Sequence, residues 1–309
     1  MSFTIMADRR KPKKIAWIGA VLLSLGVAGA FIATRGRPDA PDLSFTAPPV
    51  QKSISYRFTL QNTSNRSLPS AEFVTYAPVG ETAFQQCLRL ESDHPFQERT
   101  DAAGNRIVQF TFDRFPPFAS KIITLKADLQ LTETPRPEAP RDFAPYLTPE
   151  KYIESDHPEI IRTARALTGE TPLKTAENMC RWVAGSLRHE GYDRRERGAL
   201  YALQHREGDC TESAYLFVAL CRAAGIPARA VGGYICLQSG TLKPGGYHNW
   251  AHFHDGTSWQ TADPGNGVFR AQAADYVVMR VMGASGEAAD PGFQRFRLKG
   301  AGLKARMHS

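Results

Sequence analysis

Residues 207–234 constrain this chain more than any other stretch. They read Glu-Gly-Asp-Cys-Thr-Glu-Ser-Ala-Tyr-Leu-Phe-Val-Ala-Leu-Cys-Arg-Ala-Ala-Gly-Ile-Pro-Ala-Arg-Ala-Val-Gly-Gly-Tyr. Nothing between positions 211 and 224 breaks a helix, Gly225 supplies a C-terminal cap, and Pro227 forbids continuation. Ala214, Leu216, Phe217, Val218, Ala219, Leu220 and Cys221 spread apolar surface over nearly every face. A helix without a wide polar face is a buried one. The spacing therefore predicts a central helix over 211–224, followed by a strand over 228–236, with Cys210 at the amino end of the helix.

Unpaired backbone amides and the helix dipole favour negative charge at that end. The thiolate is the nucleophilic form of cysteine, and the same amides can hold an oxyanion. On this helix alone a buried structural cysteine remains an equal reading.

A nucleophilic cysteine needs a base, and the base needs a group to orient it. Residues 248–254 read His-Asn-Trp-Ala-His-Phe-His. Asp255-Gly256 follows, and then Ser258-Trp-Gln-Thr-Ala-Asp-Pro through Pro264. This is the pattern of a hairpin with an Asp-Gly turn. His248 starts its first strand and Asp263 ends its second, so the two lie side by side and the carboxylate can hold the imidazole. A zinc site is the competing reading, because His248, His252 and His254 share one strand face. No spacing of thiols or carboxylates closes such a site, and no cofactor is implied. Nor is there a calcium loop of the Asp-x-Asp-x-Asp-Gly kind, so metal-independent activity is expected.

The order Gly-Asp-Cys, Gly-Ile-Pro-Ala-Arg, His-x-Trp and Trp-x-x-x-Asp-Pro resembles the transglutaminase-like superfamily, whose fold is similar to papain-type thiol enzymes. The resemblance covers roughly residues 144–267. It implies Cys210 as nucleophile, His248 as general base and acid, and Asp263 as orienting carboxylate. It departs from many relatives at His252, where they carry Glu, which touches pocket electrostatics and not the triad. The implied fold is α+β: a papain/transglutaminase-like catalytic domain at 147–282, preceded by an all-β sandwich-like domain at 51–131 and an N-terminal transmembrane or signal helix.

That N-terminal helix has its own signal. Residues 15–34 are twenty positions without a charge. At ~1.5 Å per residue they span about 30 Å, one hydrocarbon core. Residues 1–14 hold Arg9, Arg10, Lys11, Lys13 and Lys14, which places this end in the cytoplasm and the remainder outside. A cleaved signal peptide, cut after Ala30, is the alternative, and either reading exports the catalytic domain. Residues 35–50 then form a tether. The net charge of +7 comes from this amino end and from the basic tail at 283–309. The body between is near neutral and carries no nucleic-acid patch.

From Ser53 the period is two. Ile54, Tyr56, Phe58 and Leu60 alternate with polar residues, and further strands are expected at 72–76, 86–90, 106–112 and 121–131. Residues 132–146, rich in proline, read as a linker. Helices follow at 158–167, capped by Ser155 or Asp156, and from Thr171-Pro172 onward. Tyr192 lies in a charged loop and fits either the acyl pocket or a structural role. The tail 283–309 is expected to be poorly ordered, a packed terminal hairpin being the alternative. The five cysteines show no disulfide framework, and free buried thiols are expected.

These observations predict a membrane-anchored, exported thiol enzyme that attacks peptide or glutamine amides, with peptide or protein as its partner. Hydrolysis is the simpler requirement and transamidation the other outcome. Trp250, Tyr234 and Trp259 are the expected lining of the pocket, although each equally suits a core. An inactive fold serving as a scaffold or peptide-binding module is the reading from another class.

Overall fold

The first strand is amphipathic by alternation. In Val50–Asn62 (β1) Ile54, Tyr56, Phe58 and Leu60 are buried, while Ser53, Arg57 and Gln61 face out. Leu68–Ala77 (β2), Gln85–Ser92 (β3), Gln97–Thr100 (β4), Arg106–Phe115 (β5) and Ser120–Leu131 (β6) follow, and the same period returns in β6, where Ile123, Leu125, Ala127, Leu129 and Leu131 are buried. A turn at 101–105 joins β4 to β5, with Gly104 at φ +87°. This computed structural model describes residues 48–136, 142–193, 195–283 and 295–308, all within one compact unit, Phe45–Ser309. The segment 15–34, read above as a membrane or signal helix, lies outside the described residues. Among the described residues no helix is long and apolar enough to cross a membrane.

The helical layer follows in chain order: Pro158–Ala166 (α1), Pro172–Ser186 (α2), Arg188–His189 (β7), Ala199–His205 (α3), Glu207–Gly208 (β8) and Cys210–Ala223 (α4). Strands then return as Ala228–Ile235 (β9), Gly240–Thr241 (β10), Tyr247–His254 (β11), Trp259–Asp263 (β12), Val268–Phe269 (β13), Tyr276–Val281 (β14), Phe296–Lys299 (β15) and Leu303–Met307 (β16). The helix expected at 158–167 is capped by His157, whose ring accepts from the Glu159 amide, and not by Ser155 or Asp156. Pro158 fixes the first helical position, so the residue just before it takes the cap. Thr171 caps α2 as its sequence suggests.

Three larger sheets and a two-stranded β7-β8 pair organise these elements. One runs β10-β1-β6-β3 with β16 also paired to β1, a second runs β15-β2-β5-β4, and a third runs β13-β12-β11-β9-β14. The first two face each other across a shared core that includes Tyr56, Phe58, Phe73, Phe110, Ile123 and Leu125. Strands from the carboxyl end complete both. β16 pairs with β1 and β15 with β2, so residues 296–299 and 303–307 are strands and not the poorly ordered tail read from sequence. Leu303 and Phe296 pack into the shared core, and this burial opposes the flexibility suggested by the surrounding Gly and basic residues.

The third sheet carries α4. All residues from Thr211 to Arg222 are buried, and α1, α2 and α3 cover the side of α4 away from the sheet. Burying such a helix contributes on the order of 1.5–3 kcal/mol for each large apolar side chain taken out of water. Its end is a two-bond cap: Gly225 donates to Arg222 O and Ile226 to Cys221 O, with Gly225 at φ +76°. That positive φ is what a glycine there is for. A half-buried ion pair ties the layers together, the buried Lys52 Nζ lying 2.7 Å from Asp275 Oδ1 and also donating to Ala274 O at 2.8 Å.

Candidate active site

The amino end of α4 is built to fix its first turn. Asp209 caps the helix, accepting from the Thr211 amide at 2.7 Å. Glu212 reaches back and accepts from the Asp209 amide at 3.2 Å. Its other oxygen accepts from the Arg197 amide at 3.0 Å. This reciprocal capping box satisfies two donors that would otherwise be orphaned. Burial pushes the Glu212 carboxyl up, and the Arg197 amide opposes the change. Cys210 follows the cap directly and is half-buried. Its backbone N–H is among the first-turn amides with no intrahelical acceptor.

The hairpin forms where Asp-Gly predicts it. β11 and β12 pair antiparallel with Ala251 opposite Ala262 and His254 opposite Trp259. That register brings His248 to the end of β12, and its Nε2 lies 2.7 Å from Asp263 Oδ2. The His248 side chain is 16% exposed and that of Asp263 0%, so the pair is little screened by water. Asp263 also accepts from Tyr276 Oη at 2.8 Å, from Asn266 Nδ2 at 2.8 Å and from the Asn266 amide at 3.2 Å. Burial alone would raise its carboxyl, but these donors and the His248 charge hold it below the ordinary aspartate value.

Opposing forces also act on His248. Burial disfavours the imidazolium, while the hydrogen bond to Asp263, the charge of Asp263 and the neighbouring Cys210 outweigh it and raise the ring to about 9. The indole of Trp250 lies nearly parallel to the ring, at 13° and 6.3 Å between centroids. Nε2 donates to the carboxylate, which leaves Nδ1 as the nitrogen free to exchange a proton with another partner. Gly265 stands where the three residues meet. A Cβ built there would lie 3.4 Å from Asp263 Oδ1, 3.8 Å from His248 Cε1 and 4.0 Å from Cys210 Cα. The structure thus brings Cys210, His248 and Asp263 around one glycine turn.

The expected pocket aromatics are buried, and none of the three lines the cleft beside Cys210. Trp250 is buried with Val79, Val231 and Tyr276. Trp259 is buried with Phe84 and packs on Tyr146 and the Arg229 guanidinium. Tyr234 is buried and donates to Met307 Sδ at 3.4 Å. The cleft beside Cys210 is lined instead by Tyr192, Asp193, Glu196, Tyr247, Asn249 and Met282, together with Arg195, Arg280 and Arg295. Tyr192 is 65% exposed there, so of its two readings the structure supports the one at the cleft.

His252 is buried, 3.4 Å from Trp250 Nε1, and burial with the nearby Arg229 charge drives its ring well below the ordinary value. It is a neutral core imidazole. Among the described residues no group of His, Cys, Asp and Glu is arranged to hold a metal. All five cysteines are free thiols.

Tyr276 and Asn266 escaped the sequence reading. Asn266 sits in the Gly265-Asn266-Gly267 turn after Asp-Pro, a position that returns its amide to the preceding carboxylate. No local signal points to Tyr276, which reaches Asp263 only because β14 pairs with β9 on the far side of the sheet.

A family model described as "Transglutaminase-like superfamily" matches residues 161–264. No curated protein matches the chain. A candidate cysteine protease from Cytophaga hutchinsonii superposes with a TM-score of 0.62 at 20% identity, over 85% of this chain and 90% of that one. This likeness shows the fold. The periplasmic domain of TgpA from Pseudomonas aeruginosa is similar at 16% identity over 69% of this chain and 90% of its own, with a TM-score of 0.38. A transglutaminase from red sea bream is similar at 12% identity over 67% and 48%, with a TM-score of 0.30. The last two likenesses are too distant to carry an argument.

Proposed function

Starting from a transglutaminase-like domain over residues 161–264, we propose that this chain is a thiol acyl-transfer enzyme acting on peptide or glutamine amides through Cys210, His248 and Asp263. The observation that carries this reading is the meeting of all three residues around Gly265, with the His248–Asp263 contact at 2.7 Å.

In the reactive pair the proton resides on His248 and the sulfur of Cys210 carries the negative charge. The sulfur attacks the amide carbonyl, and the first-turn amides of α4 face the developing oxyanion. His248, raised to about 9, is an imidazolium at neutral pH and gives its proton to the leaving amine. Asp263 fixes the tautomer and stabilises the ring charge. Water or a second amine then resolves the thioester, giving hydrolysis or transamidation.

The uncharged segment 15–34 anchors the chain with its amino end in the cytoplasm and the catalytic layer outside, a placement supported by the basic residues at 9–14.

Mass spectrometry of a peptide library treated with wild type and Cys210→Ala tests the reaction. Cleavage identifies a peptidase, a gain of about one mass unit a deamidase, and incorporation of a supplied amine a transamidase. Turnover that persists in Cys210→Ala overturns the proposal.

A further inference from the structure

Tyr247 opens β11, immediately before His248. Alternation along a strand puts Tyr247, Asn249, Ala251 and Phe253 on one face, and this face carries α4. Phe253 meets Phe217 of α4 at 5.9 Å between ring centroids. Asn249 Nδ2 donates to Thr211 Oγ1 at 2.9 Å. The row runs along α4 towards its amino end, and Tyr247 is its last member, lining the same cleft as Cys210.

The phenol is held from several sides. The Arg295 guanidinium lies 4.6 Å from the ring centroid. Tyr234 meets the ring edge-on at 5.5 Å and 90°. The hydroxyl rests over Gly232, where a Cβ would stand 2.3 Å from Tyr247 Oη. Only glycine at 232 leaves the phenol this position. Among the described residues the hydroxyl has no hydrogen-bond partner. Three other donors near Cys210 are already committed: Tyr276 and Asn266 to Asp263, and the Asn249 amide to Thr211. Burial pushes the Tyr247 phenol up, Arg280 and Arg295 oppose this, and negative charge on Cys210 adds to it. The group therefore remains a protonated donor at neutral pH, within electrostatic reach of the sulfur.

We infer that Tyr247 is a further catalytic residue, whose O–H, with the backbone N–H of Cys210, donates to the oxyanion formed when the Cys210 sulfur adds to a carbonyl. The inference rests on the acyl-transfer reading above. The S–C bond forms as the carbonyl π pair moves onto oxygen. On collapse that pair returns, the C–N bond breaks, and the amine leaves with the proton from His248. Tyr247 keeps its own proton throughout, so its work is electrostatic.

The test compares two reactions of Cys210 in the full-length chain, wild type and Tyr247→Phe. Acylation by p-nitrophenyl acetate passes through an oxyanion, whereas alkylation by iodoacetamide displaces iodide at a saturated carbon and forms none. Loss of the hydroxyl is expected to slow acylation about 100-fold, the scale of one lost oxyanion donor, and to leave alkylation within about twofold. The retained ring preserves the Arg295 and Tyr234 contacts. Unchanged acylation overturns the inference, and so does a parallel fall in both rates, which would mark Tyr247 as merely holding the thiol. If wild-type Cys210 alkylates no faster than the other thiols, the acyl-transfer reading itself fails and takes the inference with it.

Discussion

Replacing Asp263 by Asn removes the charge that sets the state of His248 while keeping the size of the side chain. In the wild type the ring is raised from 6.5 to about 9. At 1.36 kcal/mol for each tenfold change in proton affinity, this is about 3 kcal/mol in favour of the imidazolium. Burial of the ring opposes that gain and Cys210 adds to it, so without the carboxylate the midpoint is expected to fall from about 9 towards 6.5. A midpoint that reached 6.5 would take the protonated fraction at pH 8 from about nine-tenths to about three-hundredths, so roughly 30-fold is the upper limit of the fall.

The assay is nuclear magnetic resonance titration of the His248 Cε1–H, followed by the pH dependence of amide turnover. Wild type should titrate near 9 and lose activity as pH rises through that value. Asp263→Asn should lose activity on the alkaline side already near neutrality. The stability sign follows from the same shift. A histidine raised on folding stabilises the fold fully below 6.5, and this contribution is lost as pH climbs through about 9. Asp263, held low, contributes above the unfolded carboxylate range and loses that contribution as pH falls through its folded value. A wild-type midpoint near 6.5, or one unmoved by Asp263→Asn, refutes the reasoning.

Two further substitutions probe the support of the site. Tyr276→Phe removes a buried donor to the Asp263 carboxylate, and urea denaturation should show a loss of about 1.5–3 kcal/mol, the range for a hydrogen bond to a charged group. Gly232→Ala places a methyl 2.3 Å from Tyr247 Oη and 2.6 Å from Asn249 Oδ1. It should destabilise by about 1–3 kcal/mol through overpacking and cut acylation of Cys210, with thermal unfolding and p-nitrophenyl acetate kinetics as readouts; a fully active, fully stable variant would contradict the close approach of these groups.

The central helix and the hairpin are legible because their signals are local. Apolar residues on all faces and the stop at Gly225 and Pro227 define α4. Asp255-Gly256 and the flanking alternation define the hairpin, and with it the approach of His248 to Asp263. Groups delivered by distant pairing are not legible in this way. Tyr276 reaches Asp263 through the β14–β9 ladder, and no spacing in the chain announces that register. The aromatics show a different limit. Trp250, Tyr234 and Trp259 have the size to line a pocket or fill a core, and composition does not choose between them; all three are buried. In β16 the alternation of Leu303, Ala305 and Met307 with Lys304 and Arg306 is a strand signal in plain view, masked by the Gly-rich and basic residues before it. Pairing with β1 over five residues brings it out.

Site-resolved alkylation of the folded protein by iodoacetamide at neutral pH, read by peptide mass spectrometry, tests the central claim most directly. The thiolate is the form that reacts, and four of the five thiols are held in the protonated state. Burial pushes Cys180 up to about 12 and Cys236 up to about 11. It drives the fully enclosed Cys221 higher still and raises Cys87, which Arg106 only partly offsets. The account predicts that Cys210 is modified first, by roughly 100-fold over the next site, and that modification abolishes turnover. Labelling of Cys87 at the same rate as Cys210, or turnover that survives complete modification of Cys210, would contradict it.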